Sequence, residues 1–83
     1  MAKKTIQKNT LIELINVHRK IWKVNDASEL FRTRRELLNK IQKESNIDWL
    51  IVGDLVSAAT MKEIDANNEQ IFNVFAALNI EVI

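Results

Sequence analysis

Apolar residues recur at helical spacing along most of the chain. From about Thr5 to Val24, Leu11, Leu14, Ile15, His18, Ile21 and Trp22 share one broad face, while Glu13, Asn16, Lys20 and Lys23 form the opposite one. That spacing predicts an amphipathic helix. From about Ser28 to Lys43 the pattern repeats, with Leu30, Phe31, Leu37, Leu38 and Ile41 opposed by Arg32, Arg35, Glu36, Asn39 and Lys43. Asp26 or Ser28 can cap this second helix, because a short side chain with an acceptor oxygen satisfies the orphan N–H groups of a first turn.

The third segment admits two readings. With Asp48 as its cap, a helix runs to about Met61, apolar almost all round, with only Asp54 and Ser57 as a polar edge. Such a helix lies centrally in a bundle or buries one side against a second chain. Alternatively, Trp49-Leu50-Ile51-Val52 is a short buried strand ended by Gly53-Asp54. The fourth segment opens with Asn67 and Gln70 at capping-box spacing. It carries Ile71, Val74, Phe75 and Leu78 on one face, Phe72 at the edge and Asn79 as a C-cap. Ile80-Glu81-Val82-Ile83 then alternates as a short strand or docked tail does.

Proline is absent and Gly53 is the one glycine, so turns fall to Asn25-Asp26-Ala27-Ser28, Glu44-Ser45-Asn46 and Asp65-Ala66-Asn67-Asn68. The expected fold is all-α: a single small helical domain over residues 1–83, built on an N-terminal antiparallel helical hairpin packed against two shorter helices, with a short extended C-terminal tail. The alternative is α+β, with residues 49–52 and 80–83 as adjacent strands whose free edge invites pairing with another chain. On either reading Trp22 and Phe31 belong to the hairpin core.

Two polar residues interrupt the apolar faces. Projected at about 100° per residue, His18 falls within the first helix's apolar arc and Arg34 within the second's. Both lie eight residues from Asp26, one before it and one after. An antiparallel hairpin turning at Asp26 therefore places them in one layer, between a Trp22/Leu30 layer and an Ile15/Leu37 layer. A buried arginine requires acceptors, and beside it His18 is expected to be neutral. Asp54, Glu13 and Asp48 are the candidate acceptors. Such a layer can fix hairpin register, leave the arginine snorkelling to the rim, or meet an anionic group of a partner or ligand.

Charge changes the picture more than composition does. The first 43 residues hold eleven Lys and Arg against four acids, a net of +7; the last 40 hold seven acids and Lys62, a net of −6. Such a chain folds its halves onto each other or offers a basic face to an anionic partner. The basic face comprises Arg19, Lys20, Lys23, Arg32, Arg35, Lys40 and Lys43. Cysteine is absent, which removes disulfides, thiolate nucleophiles and cysteine-ligated zinc, and fits a cytoplasmic location. No apolar leader follows the basic start Met1-Ala2-Lys3-Lys4-Thr5. Frequent Asn, Lys and Ile suit an AT-rich coding sequence, as in a low-GC bacterium, its phage or a plasmid.

Catalytic equipment is sparse. One histidine, no cysteine and no tyrosine remove most acid–base and nucleophilic arrangements. No metalloprotease, phosphate-loop, hydrolase or calcium-loop motif is present, and the chain is expected to be no enzyme and to need no cofactor or metal. Nucleic-acid binding through the basic face is the alternative function. The last two segments have a helix-turn-helix look, but the second begins Asn67-Asn68-Glu69-Gln70 and lacks Lys and Arg, a poor reader of base edges.

The stretch Glu63-Ile64-Asp65 … Glu69-Gln70-Ile71 … Leu78-Asn79-Ile80-Glu81-Val82 resembles region 1.1 of primary bacterial sigma factors, where a similar helix start leads to a similar strand. The helix between these landmarks is shorter here and extra residues precede Glu69-Gln70. The long basic hairpin has no counterpart in that region, which is typically acidic. The resemblance assigns no functional residue.

The expected function is therefore that of a non-enzymatic protein-binding module, regulatory or inhibitory, acting through an apolar interface with electrostatic steering. Its candidate interface is Trp49, Leu50, Val56, Ile80, Val82 and Ile83. A homodimer is the plainest way to cover that surface, and no membrane contact is expected.

Overall fold

The computed structural model describes residues 4–83. In chain order the elements are strand β1 (Lys4–Ile6), helices α1 (Lys8–Ile21), α2 (Ser28–Ser45), α3 (Trp49–Ala59) and α4 (Asn68–Ala77), and strand β2 (Ile80–Val82). The fold is mostly helical, as the periodicity predicts.

Each boundary has a local cause. At the hairpin turn, Asp26 Oδ1 accepts from the Ser28 backbone N–H at 3.0 Å and from Ser28 Oγ at 2.6 Å. Asp26 is thus the turn-former, while Ala27 occupies the cap position without a side-chain bond. The Ser28 bonds, hydroxyl first and backbone second, hold the Asp26 carboxyl below its usual range. Asn46 ends α2 in the left-handed region, at φ 52°, a conformation asparagine tolerates. Asp48 Oδ1 accepts from Leu50 N–H at 2.9 Å and starts α3 as a helix. The strand reading of residues 49–52 is thereby excluded. Asn67 and Gln70 form the expected reciprocal capping box, both bonds at 2.9 Å. Leu78 is the C-cap of α4, and Asn79, at φ 62°, is the left-handed residue after it.

β1 departs from the helical periodicity that starts at about Thr5: the first helix begins at Lys8, and Lys4–Ile6 pair in parallel with Ile80–Val82. Ile83 N–H donates to Ile6 O at 2.9 Å and Lys8 N–H to Ile83 O at 2.6 Å. The C-terminal segment is therefore a strand whose partner is β1 and not residues 49–52. The pairing also joins the basic and acidic ends of the sequence.

The core gathers one face of every element. Ile6, Leu11, Leu14, Ile15, Leu38, Ile41, Val52, Val56, Ile71 and Phe75 are fully buried. Burying each such side chain stabilises by roughly 1.5–3 kcal/mol. Val56 and Ile80 lie in this core and Val82 is half-buried against it. They cannot serve as the free surface that the sequence assigns to them. Conversely, Trp22 and Phe31 are exposed. They flank the turn of the α1–α2 hairpin, where the C-terminal half covers them only in part: Trp22 reaches Thr60 and Phe31 shares a groove with Trp49.

Candidate protein-interaction site

Helix α3 buries only one side, through Val52, Gly53 and Val56. Its first turn therefore projects outward. Trp49 is 40% exposed, Leu50 52% and Ile51 47%, in three successive positions. This turn is a ridge between two grooves. On one side Trp49 joins Phe31, Arg34, Arg35, Leu38 and Asn39 of α2 around a cavity of about 420 Å³. On the other, Ile51 joins Lys4, Ile47, Asp48, Leu78, Asn79 and Ile80 around one of about 430 Å³. Phe31, Leu78 and Ile83 are also about half exposed.

Beneath the first groove lies the polar pair. Arg34 Nε donates to His18 Nε2 at 2.9 Å. An imidazole nitrogen that accepts must be unprotonated, so the ring is neutral with its proton on Nδ1. His18 is buried, and burial first, then the Arg34 charge, lowers its pKa to about 4. Gly53 makes room for this arrangement: a methyl there would lie 2.7 Å from Arg34 Nη2 and 3.5 Å from Leu38 Cδ1. Asp54 does not join the pair; it is exposed on α3. Glu13 is likewise exposed, and Asp48 is engaged as the α3 cap.

The basic face is divided. Arg19 is drawn inward: Nε pairs with Asp65 Oδ1 at 3.2 Å, Nη1 with Asn68 Oδ1 at 3.0 Å and Nη2 with Ala66 O at 2.8 Å. It pins α1 to the α3–α4 connection. Lys20, Lys23, Arg32, Arg35, Lys40 and Lys43 remain exposed. Nearby, Trp22 Nε1 donates to Thr60 Oγ1 at 3.2 Å, which in turn donates to Val56 O at 2.8 Å.

Three sequence-predicted interface residues, Trp49, Leu50 and Ile83, are exposed, and Ile51, Phe31 and Leu78 join them. Among the described residues no cluster of three His, Cys, Asp or Glu side chains forms a metal site, and no helix is long and apolar enough to cross a membrane. Comparison with protein families, curated proteins and solved structures finds no match. The likeness of residues 63–82 to the sigma-factor region accordingly carries no assignment.

Proposed function

We propose that the chain is a cytoplasmic, non-enzymatic protein-binding module of a regulatory or inhibitory kind, whose contact surface is the ridge at the start of α3. One observation carries this reading: Trp49, Leu50 and Ile51 are consecutive, apolar and exposed. A run of that kind is unfavourable in water and is found where a partner covers it. Aromatic residues such as Trp49 and Phe31 are also the usual anchors of interfaces.

A second copy fits the α3–α4 side. Exposed Ile51 and Leu78 line one groove there, and a twofold contact would bury the apolar side chains of both copies together. Sedimentation velocity tests this directly. Wild type should sediment as a dimer at micromolar concentration, and Leu50→Asp or Ile51→Asp as a folded monomer. A wild-type monomer at all concentrations removes self-association. Affinity capture with and without nuclease tests the external partner: capture lost on nuclease treatment would sink the protein-binding reading.

The nucleic-acid reading gains one observation. Phe31 is exposed beside Arg32 and in the same groove as Arg35, a pairing that suits base stacking. Phosphate binding weakens steeply between low and moderate salt, whereas an apolar interface does not. A salt titration therefore separates the two.

A further inference from the structure

We infer that the α2–α3 groove receives an acidic side chain of a partner protein, presented next to an aromatic or aliphatic one, an assignment that rests on the protein-binding reading above and adds the partner's chemistry to it. The carboxylate sits on the guanidinium groups of Arg34 and Arg35, and its apolar neighbour lies between Phe31 and Trp49.

The state of Arg34 points to this occupant. Arg34 is half-buried, and its one hydrogen bond among the described residues goes to a neutral imidazole. The single ion pair among those residues is Arg19–Asp65, which starts from the residue next to His18 on α1 but does not involve Arg34. A cation partly withdrawn from water with no anion beside it is costly, yet the fold seats it deliberately. The chain's one glycine stands in the interior of α3, where glycine is among the poorest residues. A side chain there would strike Arg34 Nη2. With Nε fixed by His18, the Nη1 and Nη2 end stays available for the paired N–H···O bonds that guanidinium makes to a carboxylate. Arg35 lines the same groove and adds a second cation.

The walls choose between anions. Phe31 and Trp49 flank the two arginines, and Trp49 continues into Leu50 of the ridge. A bare phosphate leaves these apolar walls wet, whereas an acidic residue beside an aromatic or aliphatic one covers both. An acidic partner is also attracted by the net +7 of the first 43 residues.

The test is to pan a randomised peptide pool, displayed on phage, against the immobilised full chain. Enriched peptides should carry Asp or Glu adjacent to an aromatic or aliphatic residue. Their Asn or Gln versions should bind about tenfold or more weakly, as should Arg34→Met or Arg35→Gln proteins with the unchanged peptide. Arg35 is exposed, so Arg35→Gln keeps the test valid should Arg34→Met fail to fold. Peptides that enrich without an acid, or acidic peptides indifferent to both substitutions, overturn the inference while the protein-binding reading stands. A pool that yields no binder overturns the inference, and the protein-binding reading falls with it only if sedimentation and nuclease-treated capture also find no partner.

Discussion

Two arginines of the basic hairpin turn toward the C-terminal half of the molecule and end in opposite states. Arg19 meets a carboxylate, a side-chain amide and a backbone carbonyl, one on each of its three nitrogens. Arg34 meets only a neutral imidazole, on Nε. The first is satisfied within the chain and its role is complete there: it locks α1 to the turn before α4. The second is held in place by His18 and Gly53 but its charge is answered by nothing inside the described residues. The charge split of the sequence is thus resolved at Arg19 and left open at Arg34, although His18 and Arg19 are neighbours in the last turn of α1. The difference separates an arginine satisfied within the fold from the one to which the inference above assigns a partner's carboxylate.

The largest effect on stability is expected at the satisfied arginine. Arg19→Ala removes three hydrogen bonds, one of them an ion pair, and leaves the Ala66 carbonyl short of a donor. Bonds to a charged group contribute more than neutral ones, but Asp65 is exposed and its share is screened. A loss of about 2–3 kcal/mol follows, which lowers the melting temperature by on the order of 10 °C in a chain of this size. Urea unfolding measures it. Below the melting transition, peptide affinity in the α2–α3 groove should match wild type. An Arg19→Ala protein as stable as wild type would erase the contrast between the two arginines.

Acid probes the open arginine through His18. His18 titrates at about 4 in the folded chain and near 6.5 when unfolded. Between those values the unfolded state binds a proton that the folded state resists. The stabilising contribution is therefore full above pH 6.5, declines as pH falls toward 4, and changes no further below. Its size is on the order of 2 kcal/mol once screening by nearby solvent is allowed for. Asp26, whose carboxyl is held below its usual 3.8, titrates beneath this window and does not confuse it. Urea midpoints across pH 4–7 should fall with acid in wild type and stay flatter in His18→Asn. In Arg34→Met the Arg34 charge is gone but burial persists, so an NMR titration should find His18 shifted upward yet still below 6.5. An unshifted His18 would mean that Arg34 is not electrically coupled to it.

Helix periodicity and short polar caps make the four helices legible, along with the shared layer of His18 and Arg34; that His18 itself accepts from Arg34, in place of Asp54, Glu13 or Asp48, is not. Both arcs were defined by local spacing, and eight residues on each side of Asp26 fixed the layer. What stayed hidden depended on distant partners. Lys4-Thr5-Ile6 continue a helical pattern, and only Ile80–Val82, at the far end of the chain, make them a strand. Arg19 projects to the rim of its own helix, so a helical wheel places it in water, yet Asp65 and Ala66 of the α3–α4 connection and Asn68 at the start of α4 lie outside that wheel. Val56 and Ile80 read as surplus apolar surface because the sequence does not say which side of α3 and β2 the hairpin covers. Trp22 and Phe31 have core spacing but flank the hairpin turn, where the C-terminal half, through Thr60 and Trp49, covers them only in part. Asp54 follows Gly53 in sequence, but the helical turn carries its side chain away from the groove that Gly53 opens.

The smallest expected change in stability is also the sharpest test of how Arg34 is seated. Gly53 has no positive φ to protect, so alanine suits its backbone and gains about 1 kcal/mol of helix propensity. Against this, the new methyl at 2.7 Å obliges Arg34 Nη2 to move, while Leu38 Cδ1 at 3.5 Å is an ordinary contact. The moving group is the end of a flexible side chain, so the net change in folding free energy should stay under about 1 kcal/mol in either direction. The function of the groove should respond far more. With the guanidinium displaced from its place beside Nε2, the His18 pKa should rise, and peptide affinity should drop about as far as in Arg34→Met. Should Gly53→Ala leave both unchanged, Arg34 has room to spare and the glycine is not what holds it. The open arginine would then be an ordinary mobile side chain, and only Arg19 would mark a designed crossing between the basic and acidic halves.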